Sequence, residues 1–131
     1  MSRFSLIFFG SFTLLISIFS FLNIIYSYYF NLFLNIDTYF IIFLITLVLG
    51  LFLIFFKQIN FKKINIYEKI FIVIIGYLFF PVIISLPFYF SIENISYLNS
   101  YFEAISGFTS TGFSIFDNIK QLDQSLIIWR S

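Results

Sequence analysis

Three long stretches of the sequence contain no charged residue. They cover residues 4–36, 38–56 and 70–92, which are gaps of 33, 19 and 23 residues. Because an α-helix needs about 20 apolar residues to cross the ~30 Å hydrocarbon core of a bilayer, each gap can hold one spanning helix. The sequence therefore predicts three transmembrane helices, over residues 4–28, 39–56 and 70–90.

The composition excludes an ordinary soluble domain. Hydrophobic residues make up 61% of the 131 residues and charged residues 10%, whereas soluble domains average about 45–50% and about 25%. A domain of this size keeps much of its surface exposed, so it cannot hide 23 phenylalanines and nine tyrosines from water. We expect the excess to face lipid.

The first predicted helix could instead be a secretory signal peptide, because Arg3 precedes an apolar run. The run exceeds the roughly 7–15 apolar residues of a signal peptide, and no small-residue cleavage site follows it. A retained helix is therefore favoured.

Several classes of function lack the residues they need. The sequence has no cysteine and no histidine, which removes thiol nucleophiles, His-based triads and the usual zinc and haem ligands. A net charge of +1, without a long Lys/Arg cluster, gives no reason to expect a nucleic-acid partner. We expect neither an enzyme nor a cofactor.

The charges of the connecting segments predict the orientation. Residues 57–69 carry four lysines and one glutamate, a balance of +3, and short basic loops stay in the cytoplasm. The N-terminus is then cytoplasmic too, Asp37 marks a short external turn, and the chain is external after Phe90. The external segment has a balance of −2, from Glu93, Glu103, Asp117, Asp123, Lys120 and Arg130.

Two prolines, Pro81 and Pro87, interrupt the third apolar stretch. Proline removes a backbone donor and can kink a helix, and membrane helices tolerate it where neighbouring groups compensate. Two interpretations of these prolines are possible: they kink the helix beside a pore, or they are ordinary prolines of a membrane helix.

Residues 91–131 are less apolar. Helical spacing of Leu98, Phe102 and Ile105 predicts a short helix over 98–108, with Ser96 or Asn99 as N-cap and an end at Gly107. A Ser/Thr/Gly run, 109–112, follows at once. A short helix and such a strand are typical of a re-entrant pore loop, whose carbonyls replace the hydration shell of a cation. An ordinary turn on an external loop is the alternative.

The run "YFEAISGFTSTGF" and the final "LIIWRS" resemble the first pore segment of the Trk/Ktr-type potassium transporter superfamily, most closely its TrkH-like potassium uptake subunits. The resemblance implies an all-α integral membrane fold, with two N-terminal helices in residues 1–60 and an incomplete first pore repeat in 61–131. That repeat would comprise an outer helix (70–90), a pore helix (98–108), a filter (109–113) and the start of an inner helix (126–131).

The resemblance also assigns residues to roles. The filter backbone would be Thr109, Ser110, Thr111 and Gly112, whose carbonyls would bind potassium as the transported substrate. Ser110 stands where many members have threonine. Glu103 and Gly107 would support the filter.

Glu103 has competing interpretations. One is an exposed extracellular glutamate. A catalytic or proton-relay carboxylate is another, since ionisable residues within membranes are functional candidates. No second carboxylate lies at helical spacing from it, so no acid–base pair can be named. Trp129 and Arg130 are predicted to lie at the outer interface, as an aromatic belt and a snorkelling cation.

By this resemblance the chain is a fragment of a transporter that takes up potassium across the bacterial inner membrane. It further implies a homodimer and a cytosolic nucleotide-binding regulatory subunit. We expect an N-terminal piece, because one filter strand without an inner helix cannot complete a pore. The alternative is a small three-helix membrane subunit or interaction protein with a polar external tail.

Overall fold

A computed structural model describes residues 3–55, 65–116 and 122–130 of the chain. Its long helices are α1 (Arg3–Tyr29), α2 (Ile36–Phe55) and α3 (Ile66–Ile84), and its shorter helices are α4 (Leu86–Ser91), α5 (Tyr97–Phe108) and α6 (Gln124–Arg130). A 3-10 turn, Phe33–Asn35, joins α1 to α2. The prediction of an all-helical chain is confirmed for these residues.

Three segments of the described chain are long and apolar enough to cross a membrane. They are Ile7–Tyr29, Ile36–Phe55 and Ile66–Ser91. Their number and order agree with the three charge-free stretches. Several charged residues used to predict the orientation lie outside the described residues, namely Lys57, Lys62, Lys63, Asp117 and Lys120, as do Phe56 and Ser131 at the ends of predicted helices.

The helices begin earlier than the charge-free stretches predicted. Helix α2 begins at Ile36, so Asp37 lies in its first turn and not in a separate turn. A carboxylate is favourable there because the N-terminus of a helix carries a partial positive charge. Helix α3 begins at Ile66 and includes Glu68 and Lys69. Charge-free stretches locate the membrane core of a helix, whereas its ends extend into water.

The third predicted helix, 70–90, is two helices. Pro81 lies inside α3, which ends at Ile84, and Pro87 lies in the first turn of α4. Because Pro87 has no backbone N–H, it fits the first turn of a new helix better than a helix interior. At the junction, the Ser85 amide donates to the carbonyl of Pro81 (2.8 Å) and its hydroxyl to that of Val82 (2.7 Å).

Helices α1 and α2 form a tightly packed hairpin. A Cβ placed on Gly10 would lie 3.2 Å from the carbonyl oxygen of Gly50, and one on Gly50 would lie 2.8 Å from the Leu14 side chain. Thr46, on the same face of α2, is fully buried and donates to the carbonyl of Ile42 (2.7 Å). Small residues therefore allow the two backbones to approach closely, as is common between membrane helices.

An aromatic core joins α3 and α5 to this hairpin. The Phe12 and Phe80 rings stack with centroids 4.5 Å apart, and Phe108 of α5 packs edge-on against Phe12 at 6.0 Å. The buried members of the core are Phe9, Ile16, Ile42, Ile72, Phe80 and Ile83. This core places the C-terminal end of α5 against α1 and α3.

Replacing Gly50 with valine should destabilise the hairpin. The Cβ alone would lie within 3 Å of Leu14 and Thr13, and overpacking of this kind costs about 1–3 kcal/mol. The melting temperature in detergent should fall, while Leu51→Val, at an exposed position of α2, should leave it nearly unchanged. Equal melting temperatures for the two variants would contradict close packing at Gly50.

Candidate functional site

Helix α5 begins at a side-chain cap. The Ser96 hydroxyl accepts a hydrogen bond from the Asn99 amide at 3.2 Å, which confirms Ser96 as the N-cap and leaves Asn99 inside the helix. The helix spans Tyr97–Phe108, which agrees with the predicted range of 98–108 and places Gly107, the predicted terminating residue, in its last turn. Its length of 12 residues is about 18 Å, too short to cross a bilayer.

The buried face of α5 is small and polar. Ser100, Glu103, Ala104 and Ser106 are buried, whereas Leu98 is 77% exposed. The apolar residues whose spacing predicted the helix thus lie mainly on its outer side. This arrangement is the reverse of a helix in a soluble protein, and it allows polar side chains to contact the rest of the chain.

The segment after α5 turns back onto the last turn of the helix. The amides of Thr109, Ser110 and Thr111 donate to the carbonyls of Ile105 (2.9 Å), Gly107 (2.9 Å) and Ser106 (3.0 Å), respectively. The Thr111 hydroxyl lies 3.2 Å from both the carbonyl and the hydroxyl oxygen of Ser106. Residues 109–113, called the 109–113 loop below, are therefore fixed at their beginning by hydrogen bonds.

Two residues of this loop have left-handed backbone conformations. The φ angle is 55° at Ser110 and 77° at Gly112. Glycine adopts such angles without a steric penalty, whereas a residue with a Cβ does so at a cost of roughly 1–2 kcal/mol. The hydrogen bonds on either side of Ser110 hold it in this conformation.

Glu103 is fully buried, which excludes the interpretation as an exposed extracellular glutamate. Its Oε1 atom accepts hydrogen bonds from the Ser114 hydroxyl (2.8 Å) and the Ile115 amide (2.6 Å). Its Oε2 atom lies 3.1 Å from the Nε atom of Arg130 as an ion pair that lacks the alignment of a hydrogen bond. One carboxylate thus connects α5, the segment after the loop and α6.

The guanidinium of Arg130 also holds the end of the loop. Its Nη2 atom donates to the carbonyl of Phe113 at 2.7 Å, and the Ser106 hydroxyl donates to the same carbonyl at 2.5 Å. The Arg130 side chain is only 11% exposed. A buried carboxylate and a backbone carbonyl take up its charge and donors, so its side chain contacts protein groups as well as the surface. Its position at the outer membrane interface stays a prediction.

Gly107 and Trp129 allow α6 to lie against α5 and the end of α3. A Cβ on Gly107 would lie 2.7 Å from the carbonyl oxygen of Arg130, so only glycine permits this approach. The Trp129 indole donates to the carbonyl of Ile84 at 2.9 Å, next to the junction of α3 and α4. Trp129 thus joins helices within the fold, and its place in an interfacial belt stays a prediction.

The structure brings most of the predicted site residues together, but by indirect contacts. Thr109, Ser110, Thr111 and Gly112 form the loop, and Glu103 reaches it through Arg130 and Ser114 rather than touching those four residues. Ser110 borders a cavity of about 660 Å³ that separates the loop from α1. No described group of three His, Cys, Asp or Glu side chains could hold a metal ion.

Sequence reasoning missed three contributors to the site: Arg130, Ser106 and Ser114. A signal for Arg130 was present, because an apolar chain that buries a carboxylate must also supply a cation, and few cations are available. Ser106 and Ser114 carry no comparable signal, since serine is common in both loops and membrane helices.

Comparisons with known proteins give one partial relative. No family model and no solved structure matches the chain. Over 47 residues the chain is 36% identical to an uncharacterized cation transporter of Methanocaldococcus jannaschii. The match covers 36% of this chain and 10% of that protein, so the chain corresponds to a small part of the relative's length.

The buried ion pair should dominate the stability of this end of the chain. Glu103→Gln keeps the size of the side chain but leaves Arg130 without its counter-charge, and breaking a buried pair costs about 3–5 kcal/mol. Glu93→Gln, at an exposed position, is the matched control and should cost less than about 0.5 kcal/mol.

A double-mutant cycle separates the pair from other effects. In detergent unfolding, the loss for Glu103→Gln with Arg130→Gln should be clearly smaller than the sum of the two single losses, because the double variant leaves no unpaired charge. Strict additivity would show that the two side chains do not interact.

Proposed function

We propose that the chain is part of a potassium-uptake protein, with α5 as a pore helix and the 109–113 loop as a re-entrant strand of its selectivity filter. The observation that carries the proposal is the two-ended attachment of this loop. Hydrogen bonds to the end of α5 fix its beginning, and Ser106 and Arg130 fix the carbonyl of Phe113. A filter needs a backbone that is held in place without using the carbonyls that bind the ion.

The hydrogen-bond pattern supports the residues assigned by the family resemblance. Within the described residues, no hydrogen bond ends on the carbonyl of Thr109, Ser110, Thr111 or Gly112. The carbonyl of Phe113 is occupied by two donors. The potassium ligands would accordingly be the first four carbonyls of the loop, with Phe113 as its anchor.

Glu103 would act on the filter through structure rather than as a cation ligand. Its charge is offset by Arg130, and its Oε1 atom accepts two hydrogen bonds. Ion binding would then depend on carbonyl dipoles, together with the negative end of the α5 helix dipole, which lies next to the loop. Among the residues that the structure describes, no comparable set of groups supports an enzymatic role.

The partial relative and the motif resemblance support different parts of this proposal, the first its general part and the second its details. The partial match to a cation transporter supports cation transport in general. Potassium as substrate, a TrkH-like subunit, the inner membrane with a cytoplasmic N-terminus, a homodimer and a cytosolic nucleotide-binding partner rest on the motif resemblance. The match covers 10% of that relative, so the activity of a whole transporter is part of the proposal.

A small membrane subunit or interaction protein with a polar external tail is the second candidate. The exposure of the loop favours it, because Ser110, Thr111, Gly112 and Phe113 all have exposed side chains or backbone in the single chain, with Phe113 at 72%. In the proposed filter, neighbouring pore segments would cover this surface.

Thiol labelling in membranes distinguishes the two candidates. The chain has no cysteine, so Ser110→Cys gives a single thiol in the loop. Glu93→Cys gives one at an exposed position that the proposed orientation places outside. With a large impermeant reagent, Ser110→Cys should react much more slowly than Glu93→Cys, and potassium should slow it further while sodium does not. Equal rates, insensitive to potassium, would support the external tail and reject the filter.

Gly112→Ala should impair cation flux through its backbone alone. A Cβ at Gly112 would meet no atom within 4 Å, but φ is +77° there, so the variant must distort or strain the proposed ion-binding backbone. In proteoliposomes that contain the complete transporter of which the chain is proposed to be a part, we expect rubidium uptake to fall at least tenfold. Asn94→Ala, which changes another left-handed residue away from the loop (φ 63°), should retain most of the flux. Equal flux in both variants would contradict the role of Gly112.

A further inference from the structure

We propose that the α1–α2 hairpin positions Arg130, and through it the 109–113 loop, by a buried polar cluster of Asn23, Asn35 and Tyr39 that binds Ser125 at the start of α6. The effect on ion selectivity rests on the proposed function, whereas the effect on the loop does not. In this view the first two helices are part of the support of the filter as well as a membrane anchor.

All three side chains of the cluster donate hydrogen bonds to one residue, Ser125. The side-chain amide of Asn23 donates to the backbone carbonyl of Ser125 at 3.1 Å. The Asn35 amide and the Tyr39 hydroxyl both donate to the Ser125 hydroxyl oxygen, each at 3.2 Å. Asn35, Tyr39 and Ser125 are fully buried, and Asn23 is nearly so.

Two further contacts make the attachment of α6 rigid. The Ser125 amide donates to the Asp123 carboxylate at 2.8 Å, which caps the start of the helix. One turn later, the Trp129 ring packs on Tyr39 with centroids 5.5 Å apart. Because Ser125 and Trp129 are four residues apart, they lie on the same side of α6. Tyr39 therefore contacts α6 at both ends of this side, by its hydroxyl and by its ring.

The contacts on this side of α6 also determine the position of Arg130. The helix has only seven residues, and Arg130 directly follows Trp129, so the direction of its side chain is determined by the seating of the helix. Arg130 in turn holds Glu103 and the carbonyl of Phe113. The contacts thus run without a gap from α1 and α2 to the end of the loop.

The cluster is polar although the helices around it are mostly apolar. Burying amide and hydroxyl groups is costly unless they are hydrogen-bonded, so the donors of Asn23, Asn35 and Tyr39 favour the seating of α6 in which Ser125 accepts them. The side-chain oxygens of Asn23 and Asn35 have no hydrogen-bond partner among the described residues. Between membrane helices, apolar packing alone does not distinguish one rotation of α6 from another, since lipid satisfies apolar surface equally well.

Tyr39→Phe and Ser125→Ala test the inference in the full chain. Tyr39→Phe removes one hydroxyl and keeps the ring on Trp129, so the fold should survive. Thr46→Val is the matched control, because Thr46 is equally buried in the same hairpin and bonds only to carbonyls within α2. Ser125→Thr keeps the hydroxyl and should rescue the loss in Ser125→Ala.

The readout is the hydrogen-exchange rate of the Thr111 and Ile115 amides, which donate to the Ser106 carbonyl and to Glu103 Oε1, with the melting temperature measured in parallel. Tyr39→Phe and Ser125→Ala should raise this rate by roughly threefold to tenfold, the range expected for losing one buried hydrogen bond. Thr46→Val should not raise it, even where it lowers the melting temperature as much. In an Arg130→Gln background, Tyr39→Phe should have no additional effect.

The inference fails if Tyr39→Phe leaves the rate unchanged, if Thr46→Val raises it equally, or if the effect of Tyr39→Phe persists without Arg130. Failure of the proposed function has a different result. It would abolish the potassium dependence of Ser110→Cys labelling and leave these differences in rate intact. If both hold, Tyr39→Phe should also lower the ratio of rubidium to sodium flux through the complete transporter of which the chain is proposed to be a part, and Thr46→Val should not.

Discussion

A buried carboxylate is the constraint on which the C-terminal part of this structure depends. Glu103 has no exposed surface in a chain that is mostly apolar, and a charge in such surroundings needs a counter-charge and hydrogen-bond donors. It obtains them from Arg130 and from the residues directly after the loop, Ser114 and Ile115. Helix α5, the 109–113 loop and α6 therefore form one unit that would be destabilised by losing any of these contacts.

Polar and apolar contacts have different roles in joining this unit to the hairpin. The stacked rings of Phe12 and Phe80 fill space between α1 and α3, but apolar packing in a bilayer competes with lipid of similar character. The hydrogen bonds to Ser125 have no such competitor. Specific alignment of α6 is thus best attributed to the few polar residues of the hairpin, and its close packing to small and aromatic residues.

The sequence was sufficient to predict the three spans and the short helix α5, because a membrane helix requires a long uncharged run and Ser96 provides a recognisable cap. It was not sufficient to predict which side of α5 is buried. Apolar spacing identifies a helix, but in a bilayer the apolar side can face lipid. The pairing of Glu103 with Arg130, 27 positions later, depends on how α6 folds back, and no local pattern encodes that.

The distribution of hydrogen bonds along the loop explains which of its residues are open to substitution under the proposed function. Contacts of side chains and amides hold both ends, at Thr109 to Thr111 and at Phe113, while the first four carbonyls are left for an ion. An exchange between serine and threonine at position 110 should then change little, because under the proposal the ligand would be the backbone. At Gly112 the requirement is the positive φ angle, so backbone conformation, and not side-chain chemistry, limits what this position accepts.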